Sequence, residues 1–248
     1  MLLSKITKKL VRKHTMTFAE KVITFNKHLK FPKEVTLPKN ISVMNPFDTT
    51  DESSPETLRI STEFYKKFYS DNNKRHLILG INLGKSGAGI TGIPFTSPES
   101  LKQDCGITSS ENNIEISGRF LYEVIKKYGG VTSFYSDYLI SNVCPLGFIK
   151  TTDTNRKVNR NYYDYTDLMV STTPFIVKTL RQQIEFGVHT DKVFCLGNRD
   201  NFKYLNNLCK EHGLFDKVIP LPHPRYIAQY KQKEKGKYIS IYLEKLNA

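Results

Sequence analysis

Tryptophan is absent from this chain, and acidic residues are scarce. The 24 Asp and Glu stand against 37 Lys and Arg, a formal net charge of +13. A surface so short of acid attracts polyanions, with nucleic acid as the first candidate; a generally basic proteome or a solubility device explains the same balance. The four cysteines (Cys105, Cys144, Cys195, Cys209) include no C-x-x-C pair, which argues against a zinc or iron–sulfur site. Their apolar settings predict buried thiols in a reducing compartment, without disulfides. No apolar run reaches the roughly 18 residues of a membrane span. Lys5, Lys8, Lys9, Arg12 and Lys13 open the chain with no acid and no secretory apolar segment. Residues 1–15 are therefore expected to be a flexible basic extension, and residues 16–248 one domain.

What is present fits a globular fold. Hydrophobic residues make up 39% of the chain, and 14 Tyr and 15 Phe supply large apolar faces. Helical spacing of apolar residues predicts helices over 18–29, 55–69, 118–128, 167–186 (despite Pro174), 201–212 and most of 226–246. Short apolar runs predict strands over 76–81, 134–143, 192–196 and 217–221. Residues 33–57, 82–98 and 150–165 read as irregular, rich in Pro, Gly or polar residues. Strands alternating with helices imply a three-layer α/β/α fold with a central parallel sheet.

Three segments share one design: Leu77-Ile78-Leu79-Gly80-Ile81-Asn82-Leu83-Gly84, Asn142-Val143-Cys144-Pro145-Leu146, and Leu221-Pro222-His223-Pro224-Arg225. Each joins an apolar run to a polar residue beside Gly or Pro. That is how a parallel strand delivers a side chain to the carboxyl edge of a sheet, where open α/β folds keep their ligands. The segments lie about 60 to 80 residues apart, so they come from three strands. Asn82, Asn142 and His223 could read a base edge and stabilise charge with neither metal nor cofactor.

Two nucleotide-binding patterns fail on spacing. Gly80 to Ser86 resembles a phosphate-binding loop but has three residues between its glycines where four are needed. Gly87-Ala88-Gly89-Ile90-Thr91-Gly92 fits G-x-G-x-x-G, yet it does not follow a strand directly and runs at once into Ile93-Pro94.

The whole stretch, Gly80-Ile81-Asn82-Leu83-Gly84 with Gly87 to Phe95, instead resembles the first motif of the uracil-DNA glycosylase superfamily, and most of all its single-strand-selective monofunctional branch. Asn142-x-Cys144-Pro145-Leu146 is similar to that branch's base-reading segment, and His223-Pro224 to the last catalytic motif. Leu-Gly-Ile-Asn-x-Gly, Cys-Pro-Leu-Gly-Phe and His-Pro-Arg resemble a bacterial subgroup. Two departures stand out. Leu83 replaces the usual Pro, which predicts a less rigid turn, and Arg225 follows Pro224 directly, which predicts a shorter or differently aimed wedge.

The resemblance implies a role for each residue. Asn82 would hold the attacking water beneath the anomeric carbon, and His223 would donate to the O2 of the departing base. Asn142 would read the Watson–Crick edge of uracil, Phe95 would stack on the extruded base, and Ile81 would line the base site with them. Gly84 stands where the strict uracil branch has a Tyr that blocks C5 substituents, so 5-hydroxymethyluracil should be tolerated. Arg225, Tyr226, Tyr230 and Lys231 would contact DNA. Plainer readings are a turn Asn for Asn82 and Asn142, a strand-end His for His223, a core Phe for Phe95, and a solvated helix face for the basic run.

The expected function is a monofunctional DNA glycosylase that hydrolyses the N-glycosidic bond of uracil, 5-hydroxymethyluracil or xanthine, leaving an abasic site. No lysine stands in the motifs as a Schiff-base nucleophile, so no lyase step is expected. No cofactor or metal is expected, and the partner is damaged DNA. A cytoplasmic bacterial monomer acting on the nucleoid is expected. The alternatives are an inert damage-binding protein of the same fold and a nucleotide-dependent enzyme using Gly84-Lys85-Ser86.

Overall fold

The structure is a computed structural model and describes residues 15–48, 50, 52, 54–111, 113 and 115–248. Apart from residue 15, the basic extension expected over residues 1–15 lies outside the described residues. Thr17 opens α1 (Phe18–His28) with a capping box. Its Oγ1 accepts from the Glu20 N–H, and the Glu20 carboxylate accepts from the Thr17 N–H. There follow β1 (Ile41–Met44), α2 (Ser54–Phe68), β2 (His76–Asn82), the single turns α3 (Ala88–Thr91) and α4 (Pro98–Ser100), α5 (Ile116–Tyr128) and α6 (Val131–Asp137). The chain continues through β3 (Tyr138–Cys144), β4 (Gly147–Thr151), β5 (Lys157–Arg160), α7 (Thr166–Ile184), β6 (Val193–Leu196), α8 (Asp200–His212), β7 (Val218–Leu221), α9 (Pro224–Tyr230) and α10 (Lys235–Leu246).

The main sheet has four parallel strands in the order β3-β2-β6-β7. All four residues of β6 are buried, as a strand must be when helices cover both faces. Helices flank the sheet, giving the three-layer α/β/α arrangement expected from the alternation. The chain leaves β2 for β3 on one side and returns to β6 on the other. This reversal puts a crevice at the carboxyl end of β2.

The chain differs from the sequence reading in several places, among them β4, which lies where no strand was expected. Residues 33–57 contain β1, and residues 150–165 contain β5. Both pair antiparallel with β4 to make a second, three-stranded sheet. Lys157-Val158-Asn159-Arg160 carries little apolar signal of its own; its extended form comes from pairing with β4. Residues 134–137 of the expected strand 134–143 belong instead to α6, because Gly129 and Gly130, at φ 127° and 89°, turn the chain into a helix that buries Phe134 and Tyr135. The glycine-dense stretch 82–98 also holds one helical turn, α3, closed by Gly92 in the left-handed region.

Candidate active site

Asn82 ends the central strand β2, and both ends of its side-chain amide are held. Nδ2 donates to the carbonyls of Leu83 (3.2 Å) and Arg160 (3.1 Å), and Oδ1 accepts from the Tyr162 N–H at 3.2 Å. A carbonyl can only accept and a peptide N–H can only donate, so this pattern fixes which way the amide points. Oδ1 keeps a second lone pair for an incoming O–H. Leu83 is buried, and the Lys85 N–H donates to Asn159 Oδ1 at 3.2 Å. The turn is thus braced by β5 and the residues after it, and these supply the restraint that a proline at position 83 would give. The same contact takes up a backbone N–H that a phosphate-binding loop would need free.

Asn142 lies inside β3, two residues short of its end, in register with Gly80. It is 3% exposed, and among the described residues its side-chain amide has no hydrogen-bond partner. A Cβ on Gly80 would overlap Asn142 Oδ1 and lie 2.6 Å from Phe95 Cε2. The glycine therefore creates the space in which the amide and the ring meet. Gly80 is a site residue that the sequence reading left unassigned, although a glycine inside an apolar strand signals close approach. Phe95 itself sits at φ 56°, a left-handed conformation uncommon for an aromatic residue and a mark of local strain.

His223 follows β7 and caps α9, with Pro224 in the first turn. The Pro222 carbonyl accepts from the hydroxyl of buried Tyr242, and Lys245 Nζ donates to the Pro220 carbonyl at 2.6 Å, so α10 ties down this strand end. The ring leans over Gly197, where a Cβ would come within 3.9 Å of His223 Cδ2. His223 Nδ1 accepts from the Arg225 N–H at 3.1 Å. That bond leaves the proton of the neutral ring on Nε2. Burial, and then the neighbouring Arg225, push the imidazole pKa down to about 4, so at neutral pH the group is an uncharged N–H donor.

These groups line one cleft of about 200 Å³, together with Ile81, Gly84, Glu115, Asn159, Asn161 and Arg225. Tyr226 and Tyr230 stand outside it on α9, 46% and 73% exposed, and Lys231 is paired with Glu234 at 2.7 Å. Among the described residues, His76, His189 and Asp191 form the one cluster with metal-ligand spacing. It lies at the opposite edge of the sheet, and its imidazoles stack at 4.4 Å and 23°.

Residues 66–247 match the family model of the uracil DNA glycosylase superfamily. The chain belongs to this superfamily. Among solved structures it is similar to the crystal structure of wild-type Pedobacter heparinus SMUG2. The TM-score is 0.90 and the identity 41%, over 94% of this chain and 98% of that one. No curated protein sequence matches the chain. Superfamily membership and this neighbour place the chain in the single-strand-selective monofunctional-like group, with a uracil-DNA glycosylase-type activity in base excision repair. No helix among the described residues is long and apolar enough to cross a membrane.

Proposed function

We propose that this protein is a monofunctional glycosylase that releases uracil and 5-hydroxymethyluracil from DNA by hydrolysis, leaving an abasic site and the strand intact. The observation that carries this reading is the convergence of Asn82, Asn142, His223 and Phe95 on one cleft. Cleavage of an N-glycosidic bond builds positive charge on the sugar and negative charge on the leaving base. A protein speeds it by fixing dipoles where those charges appear.

The nucleotide leaves the stack and its base enters the cleft. Stacking on Phe95 contributes roughly 1–3 kcal/mol. The free amide of Asn142 offers a donor and an acceptor to the Watson–Crick edge. His223 Nε2–H points its proton at O2 as charge gathers there, and because the ring is neutral it donates without transferring the proton. Asn82 Oδ1 accepts from a water and turns its oxygen toward the anomeric carbon. An amide is a poor base, but an oxocarbenium-like centre needs little activation of its nucleophile. Arg225, Tyr226, Tyr230 and Lys231 face DNA at the rim, Lys231 after exchanging Glu234 for a phosphate. The site of action is the DNA of the bacterial cytoplasm, and the working unit is the monomer.

The base range rests on Gly84. A Cβ there would make ordinary contact, 3.6 Å from Asn159 Nδ2 and 3.8 Å from the Ser86 carbonyl. A side chain can therefore start from residue 84 without moving the backbone, and its bulk would fill the C5 side of the base. The test is a panel of oligonucleotides, each with one uracil, 5-hydroxymethyluracil or xanthine, assayed with wild type and Gly84→Tyr. Wild type should release both pyrimidines. The variant should lose 5-hydroxymethyluracil release by about ten- to a hundredfold relative to uracil, the equivalent of the roughly 1–3 kcal/mol cost of overpacking. Release of uracil alone by wild type would contradict the open C5 side.

A further inference from the structure

Glu115, the residue before α5, has no part in the chemistry above, yet its side chain lines the same cleft. Its Oε2 is buried and has no hydrogen-bond partner among the described residues. Gly87 makes room for it: a Cβ there, at φ 74°, would overlap Oε2, whereas a Cβ on Gly118 would only touch it, at 3.6 Å. A buried polar atom left without a partner is costly, and native structures rarely keep one without a use.

The position of the carboxyl relative to Phe95 indicates what it meets. Asn142 Oδ1 and the far end of the Phe95 ring (Cε2, Cζ) crowd the same point beside Gly80, whereas Glu115 Oε2 and the Phe95 carbonyl flank the same point beside Gly118. Asn142 therefore lies at the tip of the ring and Glu115 at its backbone end. A pyrimidine stacked on Phe95 with its Watson–Crick edge at Asn142 points N1, and with it the deoxyribose, toward Glu115. Resting on the functional reading above, we infer that Glu115 is a further substrate-binding residue, hydrogen-bonded to an oxygen of the sugar-phosphate of the extruded nucleotide.

The charged and titratable groups around it are Arg225 and His223 at the start of α9. The loop against it brings Gly87 and Ala88, and Arg119 on its own helix is held by Glu99 at 3.0 Å. Burial raises the carboxyl pKa to about 8, with Arg225 opposing. At neutral pH the group is thus an O–H donor suited to a phosphodiester or ring oxygen. Ionised, it would repel the phosphate. Bound DNA holds the proton on, so affinity should fall as pH rises through about 8, by up to about tenfold per unit.

The test is the Kd of the full chain for an oligonucleotide bearing one hydrolysis-resistant 2′-fluoro-2′-deoxyuridine, from pH 6.5 to 9, for wild type, Glu115→Gln and Glu115→Ala. Melting temperatures and uracil release are measured in parallel. The glutamine variant should bind as wild type at pH 7 and lose the alkaline weakening. The alanine variant should bind several-fold more weakly at pH 7. Neither should melt lower than wild type at pH 8, because each removes an unpartnered buried carboxyl. Unchanged affinity and pH profile in both variants would overturn the inference. So would weaker binding accompanied by a lower melting temperature, with the glutamine variant keeping the wild-type profile. Failure of wild type to release uracil strikes the functional reading instead, and intact release with an unaltered Glu115→Ala strikes only the Glu115 contact.

Discussion

Replacing His223 with leucine is expected to lower kcat for uracil release by about 10²–10³-fold, the usual cost of removing one donor aimed at developing negative charge. KM should move much less, because the bond to O2 strengthens only as the base departs. The effect comes from a neutral ring. Nδ1 is taken by the Arg225 N–H, and Nε2 alone carries a proton. The pKa of about 4 sets the sign of the acid limb: the neutral donor persists above that value and is lost only below it. Single-turnover rates should therefore not change through the ordinary histidine range near pH 6.5. An inflection there in wild type, absent from His223→Leu, would show that a charged imidazole does the work.

The second large effect is expected at a residue with no functional group. Gly80→Ala puts a methyl where Asn142 Oδ1 and the Phe95 ring already meet. Relieving the overlap means moving the two groups that would hold the base. Overpacking of this kind costs about 1–3 kcal/mol of stability, measurable as a lower urea midpoint. Displacement of the reading groups by about 1 Å should cost a further 10²-fold or so in kcat/KM. A folded Gly80→Ala protein with wild-type kcat/KM would mean that Asn142 and Phe95 do not form the base site.

The parts of this fold that were legible are those whose residues carry their own signal. Val193-Phe194-Cys195-Leu196 is apolar throughout and buried throughout, and the helical spacing of apolar residues marks α7 although Pro174 lies inside it. Asn82, Asn142 and His223 could be placed on three strands because each follows or interrupts an apolar run beside Gly or Pro. Other parts depended on partners distant in sequence. The strand at Lys157–Arg160 exists through β4, and its backbone then grips the Asn82 amide 78 residues away, which no local pattern announces. Val131–Asp137 has the β-branched and aromatic composition of a strand, but two positive-φ glycines and a buried aromatic cluster make it a helix. Glu115 reads as an ordinary acid before a helix until its carboxyl is found enclosed beside Gly87.

The most direct measurement follows single-turnover release of uracil from a labelled oligonucleotide, developed with alkali, for wild type and Asn82→Ala. Wild type should convert the uracil strand to an alkali-labile abasic strand that stays intact without alkali. The alanine variant should bind the same DNA and convert it at least about 10²-fold more slowly, having lost the oxygen that faces the water. Equal rates for the two proteins would contradict the central claim that the amide at position 82 positions the nucleophile.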